Sequence, residues 1–437
     1  MHAEDARQWV HVGSGAFALL LRILTWWQAA AMAAIALVFN VLVLPRIGGR
    51  RLYRPVDDAR GFPLGILLYP LAVLLLILLF SSRLEIAAAA WGILAFGDGA
   101  ATLVGRRIRG RTLPWNTEKT IAGTASFIVC ASVGGVALAW WTRPAGSMWF
   151  TLLAPIAASL AAGLVESIPV RLDDNLSVPA TAAVVLWIGA MVTPEALGMA
   201  GSTILSRLPW AIALNGLVAW VGHRARTVSA SGAVAGALIG VVIFVGGGAG
   251  AWALLLLTFI LASATSRLGL KRKMLLGIAE EHGGRRGVGN AIANCGVAAI
   301  AAFAAVATPE HTSALLALAA ALTAAGSDTV ASEIGKSWGR STFLITTLGR
   351  VKPGTSGAMS LEGTAAGLLA ALALAAVAAA LGLIPGALIV VVIVAATAGA
   401  LVESALGATL EGPGILNNDM LNFINTAVAA AAALALA

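Results

Sequence analysis

Charge is what this sequence has least of. Asp, Glu, Lys and Arg make up 11% of the 437 residues, against 59% hydrophobic. An average soluble domain is about one-quarter charged, so composition excludes an ordinary water-soluble enzyme. Two cysteines, Cys130 and Cys295, stand in separate apolar runs, so neither a disulfide framework nor a CxxC metal site is available. Five scattered histidines make no metal cluster. The opening stretch, MHAEDARQWVHVGSG, is polar and has no small-residue cleavage pattern, so no cleavable secretory signal is expected. No soluble segment is large enough to bind nucleic acid. The net charge of +8 is instead expected to orient the protein and attract anions.

Apolar runs are what the chain has in plenty. They recur from end to end, each near the length of a bilayer crossing, and about 15 transmembrane helices are expected. The fold class is therefore all-α, a polytopic membrane protein. The first runs are Gly15 to Leu24, Trp27 to Leu44, Phe62 to Phe80 and Leu84 to Val104. Placing the basic loops on one side gives a single topology with a cytoplasmic N-terminus. The loops at 46–60, 105–119, 171–177, 223–231, 267–287, 336–361 and 407–420 then fall inside, and every polar signature lands on that face. A bacterial inner (cytoplasmic) membrane with a cytoplasmic active face is the expected location.

The stretch from Gly97 to Thr124 carries the strongest signal. Asp98 lies near the end of an apolar run, and a carboxylate at a helix centre in the membrane costs about 2.5–3.5 kcal/mol. Such a residue is functional by default. Arg106, Arg107, Arg109 and Arg111 follow, then Glu118-Lys119, then Gly123-Thr124 at the start of the next run. A carboxylate facing cations and a glycine-led helix start suits a metal and a nucleotide: the carboxylate for Mg²⁺, the cations and helix N-terminus for phosphate oxygens.

The same signatures return later in the same order. Asp98 precedes Gly105-Arg106 as Asp328 precedes Gly335-Lys336; Gly123-Thr124 is matched by Gly363-Thr364. Leu-Val-Glu-Ser is found at Leu164 to Ser167 and at Leu401 to Ser404. The clusters Asp173-Asp174-Asn175 and Asn417-Asn418-Asp419 close the halves. Two halves, 1–222 and 223–437, are expected. Transporters are also built on repeats, but with polar residues near the midplane, whereas these lie at one edge. Gly232, Gly236 and Gly240, four apart, predict tight helix packing.

GDGAATLVGRRIRGRTLP and EKTIAGT, followed by LVESIP and DDNLSVP, resemble the phytol kinase and dolichol kinase family. That family phosphorylates long isoprenoid alcohols with CTP, or UTP. Arg7 with His11, and Gly61 with Tyr69-Pro70, match it more weakly; the resemblance covers roughly residues 7–195. The element Lys119-Thr120…Gly123 is also similar to phosphatidate cytidylyltransferases, but Ala122 stands where those have Glu. The second half resembles integral-membrane phytyl-phosphate kinases over roughly residues 224–430. The match is carried by SDTVASEIGKSWGRSTFLITTLGRVKPGTSGAMSLEGT, ESALGATL, LNNDMLNFIN and RRGVGNAIANCG.

The resemblance implies consecutive kinases fused in one chain, taking phytol or a similar prenol to its monophosphate and then to the diphosphate. In the first site Asp98, Glu166 and Asp174 would hold Mg²⁺. Lys119, Arg106, Arg107, Thr120 and Gly123 would hold CTP (or UTP), with Asn175 orienting phosphate or metal. In the second, Asp328, Glu333, Glu403 and Asp419 take the carboxylate roles. Lys336, Arg340, Arg350 and Lys352 would hold phosphates, with Gly363 and Asn418 at the same site. Membrane lipid, the isoprenoid alcohol, its monophosphate and nucleotide are the expected partners; oligomeric state stays open. So do a CDP-lipid-forming cytidylyltransferase, a repeat-based lipid transporter or flippase, and one half serving only as scaffold.

Overall fold

A computed structural model describes residues 3–47, 63–108, 110–114, 116–144, 146–168, 173–269 and 286–437, without the side chains of 3–7. The side chain of Arg7, Gly61, Arg109, Arg285 and most of the two longest basic loops lie outside these residues. Contacts divide the chain into two units, Met1–Met191 and Val192–Ala437.

The first unit contains α1 (Ala3–Gly15), a 3-10 turn (Ala16–Arg22), α2 (Trp26–Leu42), α3 (Leu64–Leu79), α4 (Leu84–Arg107), α5 (Ile121–Thr142), α6 (Ala154–Ser167) and α7 (Asp174–Met191). Its centre is α4, which packs against α1, α3, α5, α6 and α7. Ala87 to Ala90, Ile93 and Leu94 are fully buried there. Small side chains let neighbouring backbones come close, the main source of helix adhesion where lipid competes for apolar contact. At one end of the unit, buried Glu85 is paired with Arg83 at 3.0 Å and Arg143 at 2.9 Å.

The second unit contains α8 (Pro194–Arg224), α9 (Ala230–Arg267), α10 (Val288–Ala307), α11 (His311–Trp338), α12 (Leu361–Ala380), α13 (Ile389–Leu406) and α14 (Asn418–Leu436). Here α11 is central, buried almost continuously from Ala314 to Ser327. At 1.5 Å per residue, α9 would be about 57 Å long if straight, far beyond the hydrocarbon thickness. Gly248 divides it, with φ +78 that only glycine adopts cheaply.

Each central helix leads into the next through a short hairpin. β1 (Thr112–Leu113) pairs antiparallel with β2 (Asn116–Thr120), and β3 (Thr342–Leu344) with β4 (Ala358–Ser360). Each second strand ends in an N-cap: Thr120 Oγ1 accepts the Gly123 N–H, and Ser360 Oγ accepts that of Gly363, both at 3.1 Å. Both glycines are there because two helices cross at them. A Cβ on Gly123 would lie 3.1 Å from the Ala101 carbonyl oxygen, and one on Gly363 2.5 Å from that of Ala331.

Eleven of the described helices are long and apolar enough to cross a membrane, against the fifteen or so expected. Three local features account for the difference. Residues 16–22 wind as a 3-10 turn, α2 and α3 are short, and the two runs of α9 are continuous apart from the break at Gly248. The architecture agrees with the expected all-α polytopic class, and the two hairpins add strands too short to be seen as strand patterns. Pro194 at the first turn and Thr193 as its cap start α8 well before the run at Leu208, because Thr193 Oγ1 accepts the Ala196 N–H. The sequence puts that helix in the first half; by contacts it packs on α9 and belongs to the second unit.

Candidate functional sites

In the first unit three helix ends and the hairpin converge. α4 carries Asp98, β2 carries Lys119, α6 ends just after Glu166, and α7 begins at Asp174. Lys119 Nζ donates to Glu166 Oε1 and, at 3.1 Å, to Asp174 Oδ2. Asn116 Nδ2 donates to the Ser167 carbonyl at 3.1 Å, tying the hairpin to the end of α6. Lys119 has its pKa raised: burial works against the ammonium, but the Asp174 and Glu166 carboxylates outweigh it. The other oxygen of Glu166, Oε2, is buried without a hydrogen-bond partner, and so is Asn175 Oδ1. Asn175 Nδ2 meanwhile donates to Asp173 Oδ1 at 2.8 Å.

Asp98 lies within electrostatic range of Asp174. On its other side stands His11, Nε2 to Oδ2 at 3.6 Å. The His11 ring meets the edge of Tyr69, centroids 4.4 Å apart, and Tyr69 Oη accepts from Trp91 Nε1 at 2.7 Å. Two residues that match the family only weakly in sequence are thus brought onto the strongest one.

In the second unit a polar cavity of about 390 Å³ is lined by Asp328, Glu333, Lys336, Gly363, Glu403 and Asn418, among others. α11 continues to Trp338, so Asp328, Glu333 and Lys336 are helical, and Lys336 Nζ reaches Glu333 Oε1 at 3.5 Å. Glu403 is within hydrogen-bonding reach of Asp328 and Asn425, while its Oε2 is buried without a partner. Ser356 Oγ donates to the Gly407 carbonyl at 3.1 Å and to Glu411, fastening the loop between β3 and β4 over the end of α13.

Several expected roles do not match these positions. Lys119, expected on phosphate, lies between two expected metal ligands, because neighbouring carboxylates are held in place by a cation. Arg106 and Arg107 are exposed at the end of α4. Thr120 is an N-cap, its hydroxyl committed to Gly123. Arg340, Arg350 and Lys352 are exposed and do not line the cavity; Arg350 lies over the Phe343 ring at 5.7 Å. Asp419 also stays outside it, packed where a Cβ on Gly289 would be 2.2 Å from its Oδ2. Arg286, Asn290, Asn294 and Asn422 also line the cavity, beyond the expected site residues. Their signal was the four-residue spacing of Asn290 with Asn294 and of Asn418 with Asn422 on otherwise apolar helices.

Among the described residues no three acidic, His or Cys side chains stand close enough to hold an ion by themselves. Magnesium is commonly held by one or two carboxylates with substrate phosphates supplying the rest. Glu166 and Glu403, each with a buried unpartnered oxygen near an aspartate, fit that mode.

The family model described as Integral membrane protein DUF92 matches residues 213–430. An uncharacterized membrane protein of Synechocystis sp. is 42% identical over 200 residues, 45% of this chain and 78% of its own. The chloroplastic protein VTE6 of Arabidopsis thaliana is 37% identical over 205 residues, 45% of this chain and 62% of its own. Chloroplastic phytol kinase 1 of the same plant is 33% identical over 121 residues, 26% of this chain and 40% of its own. The chain thus spans less than two thirds of the length of VTE6 and of phytol kinase 1. No solved structure matches it.

Proposed function

The chain belongs to the DUF92 family of integral membrane proteins, and from that premise we propose that it is a membrane kinase of isoprenoid alcohols with two sites. The first unit phosphorylates phytol or a similar prenol, and the second phosphorylates the resulting monophosphate. CTP, or UTP, is the donor, and both sites face the cytoplasm. Similarity to a phytol kinase supports the substrate class. The observation that carries two sites is the matched geometry: a capped glycine helix start, an aspartate on the central helix, and a glutamate with one buried, unpartnered oxygen.

Mg²⁺, held by Glu166 and Asp174 with Asp98 in one unit and by Glu403 with Asp328 in the other, would neutralise charge on the transferring phosphoryl group. In each transfer the lipid oxygen bonds to the γ-phosphorus, the bond to the bridging β–γ oxygen breaks, and nucleoside diphosphate leaves. A free alcohol must also lose its proton, and His11, held beside Asp98, is the group of the first site suited to take it near neutral pH. A monophosphate needs no such base, and among the described residues no histidine lines the second cavity. The hydrocarbon chain stays in the bilayer, favoured by about 0.8 kcal/mol per buried CH₂.

Purified protein incubated with phytol, farnesol or geranylgeraniol and CTP, UTP or ATP tests this by mass spectrometry of the lipids. Transfer of γ-phosphate label to lipid is expected. Transfer of cytosine label, or lipid movement without nucleotide use, overturns it.

A further inference from the structure

An apolar cavity of about 120 Å³ opens in the second unit between α8, α9 and α10. Val218, Ile239, Leu255 and Phe259 line its walls. Asn215 and Trp252 line it as well, joined by a hydrogen bond of 3.0 Å from the indole N–H to the amide oxygen. Arg286, Asn290, Asn294 and Thr329 line both this cavity and the polar one that holds Asp328, Glu403 and Lys336. The two spaces therefore share a wall bearing one cation and two carboxamides. A ligand that fills both must join a short apolar segment to an anionic head.

The volume limits the segment. A cavity of about 150 Å³ takes one benzene, so this one, at about 120 Å³, takes about five carbons and not a whole lipid chain. We propose that it seats the first isoprene unit of a prenyl monophosphate, with the phosphate held on the Arg286 side and the rest of the chain in lipid. The inference rests on the kinase function proposed above. It makes the phosphate-proximal unit, not total length, what the second site recognises.

The three spaced glycines of α9 divide accordingly. A Cβ on Gly232 would lie 2.2 Å from the Arg286 carbonyl oxygen, and one on Gly240 1.9 Å from Asn215 Oδ1, so these two allow close packing. Gly236, between them, meets nothing within 4 Å and lines the cavity. It is the position at which a side chain would compete with the ligand.

Gly236→Phe and Gly236→Leu test this, with Gly216→Phe on an exposed, equally open position of α8 as control. Wild type and Gly216→Phe should convert phytyl monophosphate to the diphosphate with the same KM. The Gly236 variants should show at least a tenfold higher KM for the monophosphate and an unchanged KM for nucleotide. Unchanged monophosphate KM overturns the assignment of the cavity. Wild type that leaves the monophosphate unconverted overturns the kinase function instead. Wild type is also photolabelled with a phytyl monophosphate carrying a diazirine on its first isoprene unit, which needs no variant to fold. Label in peptides of α8–α10 is expected, and label confined to other helices contradicts the proposal.

Discussion

Lys119 and Asp174 meet through an ammonium–carboxylate hydrogen bond of 3.1 Å, and the same ammonium is bonded to Glu166. Glu166 is 3% exposed, so its charge depends on that lysine. Removing one partner of a buried pair costs about 3–5 kcal/mol because the other charge is left uncompensated. Lys119→Met should lower the unfolding midpoint in detergent, and Lys119→Arg should lower it less.

The pH dependence of that pair follows from the raised pKa of Lys119. A raised folded pKa means the contribution is complete below the unfolded value, about 10.5, and fades only as pH rises through the folded one. The Tm difference between wild type and Lys119→Met should therefore not shrink from about pH 7 to 9, where the lysine keeps its proton. A difference that shrinks across this range would show that the lysine loses its proton earlier.

His11→Gln should slow phosphorylation of phytol at least a hundredfold, the lower end of what general base catalysis supplies, about 10²–10⁴. Conversion of supplied phytyl monophosphate should continue. Parallel rate measurements on the two substrates check this.

Gly123→Val and Gly363→Val place a side chain against the Ala101 and Ala331 carbonyls respectively. Overpacking of this kind costs about 1–3 kcal/mol. The first variant should impair use of the alcohol and the second use of the monophosphate. Separate assays on the two substrates would reveal the division.

The membrane helices were legible because apolar runs of crossing length declare themselves whatever their neighbours are. The convergence of Glu166, Lys119 and Asp174 was legible as well, since charged side chains are costly at the ends of apolar helices and here recur twice in one order. His11 was legible only as a weak match. Its contact with Asp98 depends on how α1 packs against α4, a long-range relation that leaves no local pattern. The beginning of α8 was hidden because Glu195 and Arg207 interrupt its apolar run, while its cap lies in Thr193-Pro194. Arg286 looked like part of a topological charge cluster until α10 and α11 brought it to the cavity wall.

Chelation with EDTA should abolish both phosphorylations, and added Mg²⁺ should restore them. In Glu166→Gln, restoration of the alcohol reaction should require more Mg²⁺, with the monophosphate reaction unaffected. Magnesium titrations on the two substrates check this.

The most direct test of two sites is the lipid product profile of Asp98→Ala and Asp328→Ala with phytol and CTP. Asp98→Ala should leave phytol unchanged while still converting added phytyl monophosphate to the diphosphate, and Asp328→Ala should accumulate the monophosphate. The same profile from both variants would contradict a division of the two phosphorylations between the units.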